Sequence, residues 1–159
     1  MTRVLAILAV AMICAPALAA EQAGASYASD LSRVYAATQF VQARKEGCDT
    51  AEPETRKAND AAYNVWRKQH QGLLDELEKR FLAMIRGAST DQKDYSKNVG
   101  KYAGEALQNL EELKKIFLAQ PAQEVSRQCH GFPEYLKSGE ADLRKRYAAE
   151  LKAIRKRKL

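Results

Sequence analysis

Two cysteines far apart in the chain, Cys48 and Cys129, are the residues with the clearest chemistry to offer. Cys129 is followed by His130, and Ser126 stands three positions before it. That segment keeps the Cys-His half of a Cys-x-x-Cys-His haem-attachment motif but has serine where the first thiol belongs. Cys48 competes for Cys129, and a disulfide accounts for both thiols more simply than a thioether does. Haem held by histidine and methionine also fits badly. Met84 is the one methionine beyond residue 19, and helical spacing puts it at the opposite end of the molecule from His130.

Other site chemistries find little support. The chain has two histidines, His70 and His130, too far apart on a helical layout to share an ion, and it contains no Glu-x-x-His pair. It contains no Gly-x-Ser-x-Gly elbow, no Gly-rich phosphate loop and no His-Glu-x-x-His. Acidic runs such as Asp75-Glu76 with Glu78, and Glu111-Glu112, read as solvated helix faces. The sequence therefore predicts no catalytic residues, no metal site and no cofactor. His70 is expected at the surface or half-buried. Gly100 and Gly104, four apart, are expected to let a neighbour such as Trp66 pack closely.

Charge is concentrated at one end. The chain carries a net +6, yet Arg144 to Leu159 holds eight bases against the single acid Glu150. Cations near a helix C-terminus favour the macrodipole, which is the plainest role for this tail. A candidate anion or membrane-surface contact is formed by Arg144, Lys145, Lys152, Arg155, Lys156, Arg157 and Lys158, opposite the apolar Leu143, Tyr147, Leu151 and Ile154. Nucleic acid is not expected as a partner, because basic and aromatic residues do not interleave here.

The elements that must position these groups are helices. Arg3, the apolar run Val4 to Ile13 and the small-x-small triplet Ala17-Leu18-Ala19 have the layout of a secretory signal peptide. Cleavage near Ala19 or Ala20 leaves one domain over residues 20–159, periplasmic or secreted, with no further apolar run long enough to span a bilayer. Cys14, within the leader, follows the bulky Ile13 and so is a poor lipidation site. An oxidising compartment makes the Cys48–Cys129 disulfide the default.

Apolar residues recur at three- and four-residue steps through four segments. The first runs over 26–47, from Ser26 to a stop at Gly47. The second begins near Pro53 and runs to 86, with a stripe that includes Val65, Trp66, Leu73 and Leu77. The third starts at a Ser89…Gln92 capping box and ends before Pro121, with a short helical piece after it. The fourth runs from Pro133 or Ser138 toward the end. Short connections favour an all-α, antiparallel up-down-up-down four-helix bundle with a long helix 2–helix 3 hairpin. In that layout Cys48 and Cys129 arrive at one pole. The hairpin tip, with Phe81, Leu82, Met84, Ile85 and Tyr95, is a candidate apolar contact if the shorter helices leave it uncovered. The function expected is a non-catalytic exported binding or adaptor protein, touching a protein partner or an anionic envelope component. The alternative is a haem or small-molecule carrier using the bundle interior.

Overall fold

The structure is a computed structural model that describes the backbone of residues 15–158 and the side chains of residues 26–158. The basic start and apolar run of the expected leader, with Cys14, lie outside the described residues. Every element among the described residues is helical. In order they are α1 (Ala15–Ala51), a 3-10 turn (Pro53–Thr55), α2 (Arg56–Ala88), α3 (Gln92–Leu118), α4 (Ala122–His130), α5 (Phe132–Lys137), α6 (Leu143–Arg146) and α7 (Ala148–Lys156). No helix among them is long and apolar enough to cross a membrane.

α1 is the shared axis. It runs antiparallel to α2, since Lys45 pairs with Asp60 while Arg56 donates to the Asp49 carbonyl at 2.9 Å. It runs parallel to α3, with Tyr35 beside Tyr102 and Gln39 beside Ala106. The C-terminal run returns antiparallel along α1, with Arg44 over Tyr135, Arg33 on Glu150 and Arg157 over Tyr27. The main core lies between α1, α2 and this returning run: Leu31, Val34, Trp66, Phe132, Leu143 and Ile154 are all buried.

Three local expectations are corrected. α1 does not stop at Gly47 but continues to Ala51. Gly47 is needed for a close approach instead. A Cβ built there would lie 2.5 Å from Cδ1 of the buried Phe117 on α3. The cap of α3 is Asp91 rather than Ser89: its side chain accepts from the Asp94 N–H at 2.8 Å, and Asp94 reaches back to the Thr90 N–H. The Ser89 hydroxyl is already committed, donating to the Ile85 carbonyl.

The fourth helical segment is not continuous but divided into α5, α6 and α7. Ser138 and Gly139 open the break, and α2 supplies what the interrupted backbone lacks. The Trp66 indole N–H donates to the Ala141 carbonyl at 2.8 Å. The Leu143 backbone N–H donates to His70 Nε2 at 3.3 Å. Unpaired buried backbone groups cost about as much as lost hydrogen bonds, so these two side chains make the break tolerable.

Cys48 and Cys129 form a disulfide, with Cα atoms 5.2 Å apart, closing a loop of sequence separation 81. Around it Phe117 and Val125 make a second small core, apart from the main one. The bond ties α1 to α4.

Opposite signs are expected from alanine at different glycines. Gly100→Ala and Gly104→Ala each raise stability by up to about 1 kcal/mol, because a methyl there meets nothing and alanine is the better helix former. Gly47→Ala lowers it by about 1–3 kcal/mol, because Phe117 has to move inside a packed core. Urea denaturation of the three variants checks the signs. Cys129→Ser, measured in the same way, is expected to cost about 2–4 kcal/mol.

Candidate functional site

α3 lies far more closely against α1 than against α2. Two amides on α1 and α3 hold it there. Gln39, 8 % exposed, donates from Nε2 to the Ala106 carbonyl at 2.8 Å and accepts at Oε1 from Asn109 at 2.5 Å. α2 and α3 meet near their hairpin, where Phe81 and Tyr102 stack at 4.8 Å and Arg86 lies 3.5 Å over the Tyr95 ring. Away from the hairpin the two helices part. The space between them is a cleft of about 700 Å³ with α1 as its floor.

The two walls differ. On α3 the lining is apolar: Val99, Tyr102, Ala103, Ala106, Leu107 and Leu110. Leu107 is 66 % exposed and stands at the open edge of this wall. On α2 the rim is charged and polar, with Arg67 and Gln71 followed by Asp75 and Glu78. The floor carries Tyr35, Thr38, Gln39 and Gln42. At the hairpin end, the Tyr102 hydroxyl is buried without a hydrogen-bond partner. Burial pushes the pKa of the Tyr102 hydroxyl well above its usual value and so keeps it protonated, and the neighbouring Tyr35 adds to the effect. At the disulfide end of the floor, burial works against the charge of Lys45. Asp49 and Asp60 outweigh that cost and hold Lys45 above its usual value.

The residues singled out from sequence fall in several places. Phe81 and Ile85 are buried, while Leu82, Met84 and Tyr95 are half-buried. Phe81 and Leu82 also line the hairpin end of the cleft. Gly100 and Gly104 do not face Trp66; they are exposed with open space around them. The Trp66 indole N–H reaches the break before α6, while the residue also borders the cleft beside Tyr63. His70 is not at the surface. It is buried against Trp66 with ring centroids 4.6 Å apart. Since Nε2 accepts from Leu143, Nδ1 carries the proton and donates to the Trp66 carbonyl at 2.9 Å. His130 is exposed at the end of α4. Val65, placed in the inner stripe by its spacing, is 57 % exposed and lines a shallow groove against Pro133 and Leu136. Among the described residues, no three groups that could hold a metal ion come together.

The basic segment is partly committed to the fold. Arg155 makes a bidentate pair with Glu76, with Nη2 to Oε2 at 2.6 Å. Arg144 donates to the Gln69 carbonyl, Lys145 pairs with Asp142, and Arg157 covers Tyr27. Lys152, Lys156 and Lys158 are exposed and form no ion pair among the described residues. Arg80, which the sequence did not single out, is buried on α2. It pairs with Glu76 and donates to the carbonyls of Ile154 and Arg157, closing the C-terminus of α7. Glu76 is therefore no solvated surface acid. Arg155 draws its carboxyl below the usual range, partial burial pulls the other way, and Arg80 adds to the lowering.

A depressed folded value means Glu76 stabilises the fold above the unfolded carboxyl value of about 4.3, and the benefit is lost as pH falls through the folded value. Glu76→Gln is expected to cost about 1–3 kcal/mol at about pH 7, because buried Arg80 loses its charged partner. At about pH 3 the gap between wild type and variant should shrink markedly. Urea denaturation of both proteins at the two pH values checks this, and an undiminished gap would remove the carboxylate charge as its cause. Set against family models, curated proteins and solved structures, the chain matches none.

Proposed function

We propose that this chain is an exported, non-catalytic helical adaptor that binds a protein partner through the cleft between α2 and α3. In this reading the three long helices and the divided C-terminal run form an up-down-up-down bundle. One observation carries the proposal: a cleft of about 700 Å³ runs along an apolar wall on which Leu107 is 66 % exposed. Exposed apolar surface beside a polar rim is the usual composition of a contact site. The floor offers aromatic rings and amides, groups suited to holding a partner. A disulfide persists in oxidising compartments, which supports an extracytoplasmic, periplasmic location.

Magnitudes favour the cleft over the basic segment as the main contact. Each base near an anionic surface contributes about 1 kcal/mol. Of the seven candidate bases, Arg144, Lys145, Arg155 and Arg157 already serve the fold. Three lysines remain, too few for lasting attachment by charge alone.

The unpartnered Tyr102 hydroxyl, on the α3 wall at the hairpin end of the cleft, favours a second reading, a carrier of an amphiphilic small molecule with a hydrogen-bonding group. Tyr102→Phe would then weaken ligand binding while leaving protein contacts unchanged.

Photo-crosslinking separates these readings. A crosslinking residue at Leu107 is expected to give one discrete protein adduct in the native envelope, abolished by a charged residue at neighbouring Ala103. The same residue at Lys152 is expected to give none. Adducts from Lys152 but not from Leu107 would overturn the cleft as the contact surface.

A further inference from the structure

The shape and charge of the cleft narrow its occupant. Its apolar wall runs from Val99 to Leu110 on α3, about 16 Å at about 1.5 Å per residue. Arg67 and Glu78 on the opposite rim are separated by the same number of residues, so they too stand about 16 Å apart along α2. A helix of about three turns is also about 16 Å long, so it matches both walls of this open cleft along their length and leaves its outer face in solvent.

The rim also has a direction. On α2 the rim carries two carboxylates toward the hairpin, Asp75 and Glu78, and Arg67 toward the disulfide end. Below Arg67 the floor adds the half-buried Lys45, matched by Asp49 and Asp60, and the half-buried Glu46, which accepts from Gln42. The three rim side chains are exposed, and neither Arg67 nor Glu78 has an ion-pair partner among the described residues. A helix N-terminus is the positive end of its dipole and the C-terminus the negative end. A seated helix is thus favoured with its N-terminus toward Asp75 and Glu78 and its C-terminus toward Arg67. A lipid chain with a headgroup of one sign would meet only one end of this rim.

Building on the adaptor reading, we propose that the cleft receives an amphipathic helix of about three turns from a partner protein. The helix lies antiparallel to α2, with a basic first turn beside Asp75 and Glu78 and an acidic last turn beside Arg67. Its leucine-like stripe packs against Leu107 and Leu110.

The probe is a pair of hydrocarbon-stapled peptides of about 14 residues, long enough for the three turns with short ends. Both carry one leucine stripe and equal helicity by circular dichroism. One has lysines in its first turn and glutamates in its last; the other has these charges exchanged. Fluorescence anisotropy with the full chain is expected to show the first binding at least about fivefold tighter. Leu107→Asp should weaken it at least about tenfold. The double variant Arg67→Glu, Glu78→Arg should reverse the preference between the peptides. All three positions are exposed, and thermal melts confirm that the variants fold. Equal affinity for both peptides, or no binding, overturns the proposal. So does a dimer in sedimentation that Leu107→Asp dissociates, which would make a second copy the occupant. So does displacement of the peptide by a fatty acid at comparable concentration. If the Leu107 crosslink forms in the envelope while the peptides show no preference, the adaptor reading stands and the seated helix falls.

Discussion

Gln39 sits in the middle of α1 with both ends of its amide engaged by α3, at the Ala106 carbonyl and the Asn109 side chain. A buried amide is costly to leave unpaired, so any slide of α3 along α1 breaks two hydrogen bonds without replacing them. This fixes the register of α3, and the rest follows. Phe117 lands on Gly47, and the chain after Leu118 then delivers Cys129 to Cys48. Held to α1 in this way, α3 touches α2 near the hairpin and parts from it beyond. The cleft is the geometrical result of a helix pinned to one neighbour rather than shared between two.

The C-terminal segment shows a different principle. Its basic composition reads as a surface property, yet Glu76 uses one carboxylate to hold Arg155 on α7 and Arg80 on α2 together. Arg80 in turn satisfies carbonyls at the end of α7 that lack helical partners. Electrostatics here performs a capping task across the sequence, joining residues far apart in the chain. The lysines left outside this arrangement are the ones free to meet other surfaces.

Much of this was legible in the sequence, for reasons that can be named. The helical period located the inner residues of α2 and α7, and Leu73, Leu77, Leu151 and Ile154 are buried as it requires. The antiparallel layout brought Cys48 and Cys129 to one pole. Period alone misplaced Val65, because spacing says which face a residue shares but not whether a neighbour covers it. It also could not reveal Gln39 or Arg80, since polar residues that turn inward look like any surface residue until their partners are known. Gly47 had the signature of a helix stop. Its true constraint, the ring of Phe117, comes from another helix and leaves no local trace. The sequence left the fourth helix as one run starting at Pro133 or Ser138, because its division depends on Trp66 and His70, about seventy residues earlier.

That dependence bears on how the polypeptide is made. α1 precedes α5, α6 and α7 in the chain and is made before them, yet one of its apolar sides is covered by this later run. Those three pieces are too short to hold helical form alone in water. They acquire order only against α1 and α2 that are already in place. Until that later run has been made, α1 therefore shows an oily flank to its surroundings, the kind of transiently exposed surface that favours aggregation.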